Sequence, residues 1–248
     1  MRQTLIAGNW KMNLTVTEAE KFFKHFNAQM KENVELLVCP PFTDIPLARF
    51  FLERSSVKWG AQDVYPSEKG AFTGEISPTM LKDLGCTYVI CGHSERRKII
   101  GESDEFVAQK VQAVLNRGLV PILCVGETLE EKEAGKTQER IGEEINAVFT
   151  LLKKEEIGKI VIAYEPIWAI GSGRAATAED AEEISAFIRK AVEESAGKIA
   201  AETVRILYGG SVNADNIVDF LKEKDIDGGL IGGASLSPES FLAIYRNA

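Results

Sequence analysis

The segment from Ile160 to Gly173 places a carboxylate between an apolar stretch and a loop that contains glycines. Ile160–Glu165 has the composition of a buried strand, and Pro166, which has no N–H, ends the strand ladder there. The following helix is predicted to begin after Thr177, so the connecting loop exceeds the usual length of about two to six residues. A carboxylate beside such a loop indicates a general base beneath a lid. A glutamate that simply meets water at the end of a strand would give the same pattern.

Two more candidate groups stand at the ends of other apolar stretches. Asn9 and Lys11 lie two residues apart at the end of the first stretch, so in a strand they share a face. If that face lines a core, the lysine charge must be paired or used to bind an anion, whereas a lysine that turns outward needs neither. His93 precedes a predicted helix whose N-terminal amides disfavour a nearby positive charge, so we expect a neutral imidazole that donates a hydrogen bond. Glu95 could pair with Lys11 or with either of the two arginines that follow it.

Paired glycines end two apolar stretches nearer the C-terminus. One stretch closes with Gly209 and Gly210 before Ser211, and the other closes with Gly232 and Gly233. Glycine lets backbone N–H groups approach a ligand closely, and helix N-termini favour anions. A single Gly-Gly pair can serve only as a tight turn, but two such turns at related places in a fold favour an anion site.

Eight short apolar stretches alternate with amphipathic segments, which predicts strands and helices in turn. The predicted strands are Leu5–Trp10, Glu35–Cys39, Val57–Gln62, Tyr88–Gly92, Val120–Val125, Ile160–Glu165, Val204–Tyr208 and Gly229–Gly232. Ala178–Ser195 is the clearest helix, with apolar side chains on one face and charged ones on the other, and another helix is predicted from about Asn213. Glu130–Glu133 is predicted to be a solvated helix face and is assigned no function.

Eight alternations in 248 residues favour an α/β fold, a single-domain (β/α)8 barrel spanning residues 1–248. An open doubly wound sheet should carry a glycine-rich dinucleotide turn after its first strand, and Lys11-Met12-Asn13 stand there instead. Active sites of (β/α)8 barrels lie at the C-terminal ends of the strands, and phosphate is often bound after strands seven and eight. The candidate base, histidine, lysine and glycine pairs would therefore meet at one end of the barrel.

Charge and composition limit the partners of the chain. The net charge of −8 and the pI near 5.1 argue against nucleic acid or an anionic membrane, but not against a small anionic ligand. No apolar run approaches the roughly 20 residues needed to span a bilayer, and we expect no signal peptide because the N-terminal residues are predicted to form a strand. Four cysteines without Cys-x-x-Cys spacing and only two histidines favour buried free thiols in a reducing cytosol over disulfides or zinc.

The motifs together resemble the triosephosphate isomerase family along the whole chain. They are Gly8–Asn13, Gly70–Ile76, Gly92–Arg97, Ala163–Gly171, Tyr208–Val212 and Gly232–Leu236. Each motif is only suggestive by itself, whereas all of them in order are highly specific. The resemblance implies a cytoplasmic TIM barrel enzyme of glycolysis and gluconeogenesis, without a cofactor or metal. Its substrates would be D-glyceraldehyde 3-phosphate and dihydroxyacetone phosphate, interconverted through an enediolate.

The resemblance implies a role for each candidate residue. Glu165 is the base that moves a proton between C1 and C2, and His93 polarises the carbonyl. Lys11 and Asn9 hold the substrate and stabilise the enediolate. The residues implied to bind the substrate or its phosphate group are Asn9, Lys11, Gly171, Ser211, Gly232 and Gly233, of which the last four form the phosphate cradle. The residues expected around the catalytic groups are Ser94, Glu95 and Cys124, and Cys124 also fits a purely structural place in the core.

A lid and a subunit interface are implied as well. The lid comprises Pro166, Ile167, Trp168, Ala169, Ile170, Gly171, Ser172, Gly173, Arg174, Ala175 and Ala176. The family more often has Thr and Lys in place of Ser172 and Arg174. Residues 63–77 are too apolar for a mobile surface loop and either fold back on their own barrel or contact a second copy. By resemblance, the tip Phe72, Thr73 and Gly74 docks into a homodimer partner, where Thr73 approaches the partner subunit's Asn9 and Glu95.

Other functions make different demands on the strand ends. A class I aldolase on the same barrel would need a desolvated Schiff-base lysine. Strand six ends in Glu165 instead, and the strand-end lysine in view, Lys11, is on strand one. A metal-dependent aldolase or epimerase would need a cluster of histidines. A catalytically silent phosphate-binding scaffold should lack the base, the histidine or the lysine, and Glu165, His93 and Lys11 are all present.

Overall fold

Eight parallel strands form a closed barrel in the computed structural model, which describes residues 2–169 and 176–248. The strands are β1 (Thr4–Asn9), β2 (Val34–Cys39), β3 (Lys58–Ala61), β4 (Tyr88–Cys91), β5 (Val120–Val125), β6 (Val161–Tyr164), β7 (Arg205–Tyr208) and β8 (Gly228–Ile231). Each strand pairs with the next in sequence, and β8 pairs with β1. The predicted (β/α)8 barrel is therefore confirmed, and each predicted strand end lies within one residue of the observed end.

The helices surround the barrel and connect successive strands. They are α1 (Val16–His25), α2 (Ile45–Leu52), α3 (Pro78–Asp83), α4 (Asp104–Asn116), α5 (Leu129–Glu133), α6 (Thr137–Leu151), α7 (Lys154–Ile157), α8 (Ala178–Ala196), α9 (Lys198–Thr203), α10 (Ile217–Lys222) and α11 (Pro238–Asn247). Thr177 and Asp180 form the predicted capping box of α8. The helix expected from Asn213 begins later, at Ile217, because the Asn213 and Asn216 side chains accept local backbone N–H groups in a turn.

Strand alternation determines which side chains fill the barrel interior. The interior cluster consists of Leu5, Ala7, Leu37, Cys39, Tyr88, Ile90, Ile122, Cys124, Val161, Ala163, Leu207 and Leu230. The intervening strand residues pack against the helices in a second, larger cluster. On β1, the alternation that directs Leu5 and Ala7 inward continues to Asn9. On β6, it continues from Ala163 to Glu165, so both polar side chains close the C-terminal end of the apolar core.

Two further properties concern the described residues as a whole. Among them, no helix is long and apolar enough to cross a membrane. The described residues also contain no group of three or more His, Cys, Asp or Glu side chains that could hold a metal ion. All four cysteines are buried and free, as the sequence predicts.

Candidate active site

A cavity of about 320 Å³ opens at the C-terminal end of the barrel. Its lining residues are Asn9, Lys11, His93, Glu165, Gly209, Gly210, Ser211, Val212, Leu230, Gly232, Gly233 and Ala234. The structure therefore brings the four candidate catalytic side chains to the same cavity as Ser211, Gly232 and Gly233. The lid residues Pro166–Ala169 and Ala176 are described, whereas Gly171 and the rest of residues 170–175 lie outside the described residues.

Glu165 is the candidate base, and it contacts the candidate electrophile directly. Glu165 is 2% exposed, with Oε1 2.8 Å from Nε2 of His93, and Oε2 accepts the Ser94 N–H at 3.0 Å. Burial, the largest influence, raises the pKa of this carboxyl, but His93 and the Ser94 N–H more than offset it and hold the pKa below its usual range. The carboxylate is therefore ionised at neutral pH and able to accept a proton.

His93 has its two ring nitrogens in different environments. The Glu95 N–H donates to Nδ1 at 3.2 Å, so Nδ1 acts as the acceptor and the proton lies on Nε2, which faces Glu165 and the cavity. Burial lowers the pKa of His93, but the Glu165 carboxylate outweighs burial and raises it above the usual value. The sequence predicts a neutral His93 because the N-terminal amides of a helix disfavour a nearby positive charge. A carboxylate 2.8 Å away acts in the opposite direction.

Lys11 is held by both its backbone and its side chain. It has φ of 54°, a left-handed conformation that costs energy in a non-glycine residue and is found at functional sites. The Asn9 Oδ1 accepts the Lys11 N–H at 3.0 Å, and the Gln62 amide donates to the Lys11 and Cys39 carbonyls, each at 2.9 Å. The Lys11 Nζ lies 2.6 Å from Oε1 of Glu95, which selects one of the three pairings that the sequence left open for this glutamate.

Two glycines allow the chain to pack closely against Glu165. A Cβ atom on Gly126 would lie 1.8 Å from the Glu165 carbonyl oxygen, and one on Gly209 would lie 2.8 Å from the Glu165 Cγ. Neither distance is compatible with a side chain. Glycine at these two positions therefore allows the main chain and the side chain of Glu165 to lie close to the segments that follow β5 and β7.

A charged network lies behind the ends of β4 and β5. Arg97 donates to the Gly92 carbonyl at 2.7 Å and to the Cys124 carbonyl at 3.3 Å. The buried Glu144 accepts the Gly126 N–H at 2.8 Å and lies 3.6 Å from the Arg97 Nε. Cys124 lies in the barrel interior and does not line the cavity, and burial raises the pKa of its thiol, so its surroundings are those of a core residue.

The sequence pattern does not single out Gln62 or Glu127, and it offers Arg97 only as a partner for Glu95. Gln62 follows β3, so the strand-end rule that located the other residues would have found it, although a lone amide carries no charge to indicate chemistry. Glu127 follows β5 and accepts the Trp168 indole N–H at 2.8 Å. Arg97 lies within a recognised motif, but its contacts depend on tertiary packing that no local pattern indicates.

Comparison with known proteins gives a consistent result. A family model described as triosephosphate isomerase matches residues 4–248. The chain is 49% identical to a triosephosphate isomerase from Dictyoglomus thermophilum, over 100% of both chains. It is also 49% identical to a triosephosphate isomerase from Clostridium tetani, over 99% of this chain and 97% of the relative. The similarity thus covers every segment that contributes to the cavity.

Proposed function

Because this chain belongs to the triosephosphate isomerase family, we propose that the cavity at its strand ends is the active site for that family's reaction. The chain is an intramolecular oxidoreductase that interconverts D-glyceraldehyde 3-phosphate and dihydroxyacetone phosphate, a step of glycolysis. The observation that carries the assignment of the site is the convergence of Glu165, His93 and Lys11 on one cavity. A silent phosphate-binding scaffold is not favoured, because a scaffold has no need of all three groups together.

The reaction moves one proton between neighbouring carbons and needs no external oxidant or reductant. Glu165 takes a proton from the carbon next to the carbonyl, and the electron pair of that C–H bond forms the C=C bond of an enediolate. The same carboxyl then returns the proton to the neighbouring carbon, which carried the carbonyl. The hydroxyl proton on the other carbon moves to the former carbonyl oxygen as the new C=O bond forms, so atoms and electrons balance within the substrate. The substrate has to enter between Glu165 and His93, which separates the carboxylate from its imidazole partner. Burial, which raises the pKa of Glu165, is then less opposed, so the base becomes stronger.

His93 and Lys11 act on the oxygen atoms of the enediolate. The His93 Nε2–H, which points at the cavity, donates to the carbonyl oxygen as negative charge develops there. The Lys11 ammonium group, with Asn9 beside it, supplies positive charge at the same place. Since the barrel interior beneath is apolar, these interactions are stronger than they would be in water.

Phosphate binding is proposed for the wall of the cavity formed by the ends of β7 and β8, which lie between β6 and β1 in the barrel. Ser211, Gly232 and Gly233 follow β7 and β8 and line the cavity, where backbone N–H groups can approach an anion. Gly171 is proposed as a fourth contributor on the basis of the family resemblance alone. Ser94 holds the resting carboxylate of Glu165, and Glu95 positions Lys11.

We also propose that the chain acts as a homodimer. The tip of the 63–77 loop is exposed, with Phe72 41% exposed although it packs on Tyr65 at 4.3 Å between ring centroids. A second cavity of about 590 Å³ lies beside Lys11 and is also lined by the exposed apolar side chains of Met12 and Ile99. A loop tip that exposes Phe72 and a cavity that exposes Met12 and Ile99 can cover each other's apolar side chains in a twofold dimer.

The proposed location is the cytoplasm. Its support is the set of four buried free thiols, which are typical of a reducing compartment. The experiment that tests the function is a coupled assay with glyceraldehyde 3-phosphate in chelator-treated buffer. Turnover that survives chelation supports the metal-free proton transfer, and absence of turnover in well-folded protein overturns it.

A further inference from the structure

The indole ring of Trp168 lies between two opposite charges. Its Nε1–H donates to Oε1 of Glu127 at 2.8 Å, and the Nζ of Lys132 lies over the ring, 3.6 Å from its centroid. The face of an indole carries partial negative charge and its N–H edge carries partial positive charge. The cation and the carboxylate therefore each meet the part of the ring that attracts them.

Both charges come from the short segment that follows β5. Glu127 is buried, and its carbonyl accepts the Ile167 N–H at 3.1 Å. The segment after β5 therefore contacts residues 167–168 through its backbone as well as through its side chains. Lys132 lies on α5, whose first turn is fixed by a capping box between Thr128 and Glu131. Since α5 is anchored in this way, the ammonium group is presented from a defined position.

The arrangement connects directly to the catalytic base. Trp168 lies three residues after Glu165, whose N–H donates to the Val125 carbonyl at 2.8 Å. Tyr164, the residue before the base, also donates to Oε1 of Glu127, at 3.2 Å. A displacement of the indole would therefore be transmitted along three residues of backbone to the carboxylate.

We propose that Lys132 is a positioning residue for the isomerisation, whose ammonium group holds Trp168 and thereby the main chain that carries Glu165. The sequence pattern assigned the run Glu130–Glu133 to a solvated helix face, and the structure gives its single lysine this specific contact. The positive charge of Lys132 also affects the pKa of Glu127. Burial raises the pKa of Glu127, and Lys132, together with the Trp168 and Tyr164 donors, opposes that rise, which favours the ionised acceptor.

The test uses the intact chain labelled with 5-fluorotryptophan and followed by fluorine NMR without substrate. The chain has three tryptophans, and the Trp168 resonance is assigned by its disappearance in Trp168→Phe. Lys132→Met keeps most of the side-chain length but removes the charge, and it should shift or broaden the Trp168 resonance. Lys132→Arg should return the resonance toward its original position, because a guanidinium group also stacks on an indole. Lys136→Met, which removes another exposed charge close by, should leave the resonance unchanged.

The kinetic readout rests on the proposed function, whereas the NMR readout does not. In Lys132→Met, kcat should fall about two- to fivefold, as expected for the loss of an exposed cation–π contact, and Lys132→Arg should restore it. The dissociation constant of inorganic phosphate should not change, because the phosphate-binding glycines lie after β7 and β8. An unshifted Trp168 resonance in Lys132→Met overturns the proposal, as does a shift that leaves kcat unchanged. Inactivity of the parent chain would instead overturn the proposed function.

Discussion

The Nε2 atom of His93 lies 2.8 Å from Oε1 of Glu165, so the proposed base and the proposed electrophile contact each other directly. The contact lowers the pKa of the carboxyl and raises that of the imidazole. Each shift depends largely on the charge of the other group, so we expect both to weaken if a substrate separates the two side chains, as proposed. We therefore expect substrate binding to raise the pKa of Glu165 and to favour a neutral His93, because burial then acts with less opposition on both groups.

Replacing Glu165 by Gln should remove the base but keep the shape of the side chain. We expect kcat to fall by at least about 10²–10⁴-fold, the usual cost of removing general-base catalysis, with phosphate affinity retained. Steady-state kinetics on protein shown to be folded by circular dichroism is the measurement, and Glu179→Gln on the exposed face of α8 is the control. Near-normal kcat in Glu165→Gln would show that another group is the base.

Replacing Lys11 by Met should raise KM and lower kcat together, because the ammonium charge acts on the bound anion and on the developing enediolate. The side chain of methionine still fills the space beside Gly232, where an added Cβ atom would lie 3.6 Å from the Lys11 Cε. Initial-rate kinetics with both substrates provides the test. An unchanged kcat/KM would make Lys11 a structural partner of Glu95 only.

Replacing Gly209 by Ala should disturb the base without removing any polar group from the site. The added Cβ would lie 2.8 Å from the Glu165 Cγ, so the carboxylate must shift. A displacement of this kind can reduce kcat by about 10–100-fold. Gly142→Ala is the matched control, since its Cβ would make only an ordinary contact with Phe187 at 3.8 Å. Equal activities of the two variants would contradict the importance of this close approach.

Glu144 should make the stability of the chain depend on pH. Burial raises the pKa of this carboxyl to about 7, against the opposing effects of Arg97 and Arg140. The unfolded chain releases the proton at a lower pH than the folded protein does. The contribution of Glu144 to the stability of the folded chain is therefore fully present below about pH 4.5 and is lost as the pH rises through about 7. This loss lowers the free energy of unfolding by about 3 kcal/mol.

The comparison that isolates this effect is between the parent and Glu144→Gln, which cannot titrate. Urea unfolding of both proteins at several pH values gives the difference between their free energies of unfolding. We expect the parent to lose stability relative to the variant as the pH rises through this window. A difference that stays constant from pH 5 to pH 8 would place the Glu144 pKa outside that window.

Replacing Thr73 by Arg should dissociate the proposed dimer. Thr73 is exposed in the single chain, so the substitution should not unfold it, whereas at an interface the guanidinium charge would be buried without a partner. Sedimentation velocity should show the parent at twice the 27.3 kDa chain mass and the variant at the chain mass, with reduced activity. Thr150→Arg, on the exposed side of α6, should remain dimeric. A fully active monomeric parent would refute both the dimer and its coupling to catalysis.

The sequence predicted the barrel and most of the cavity because both depend on local patterns. Buried parallel strands read as short apolar runs, and side chains alternate along them, so the inward direction of Glu165 follows from that of Ala163. Strand order in a barrel then brings the strand ends together, which places Glu165 near His93 and Lys11. The boundary near Asn213 was predicted less well, because asparagine side chains compete with helix hydrogen bonds in a way that spacing does not reveal.

By itself, therefore, the chain's sequence determined which chemical groups reach the mouth of the barrel. The tertiary structure decided which of them touch: Lys11 pairs with Glu95, Gln62 holds the Lys11 carbonyl, and Lys132 lies over Trp168. The physical reason is that a contact between residues distant in sequence requires the correct strand register and side chains placed to within a few tenths of an ångström. Local periodicity sets the direction of a side chain, but only the packed barrel sets those distances.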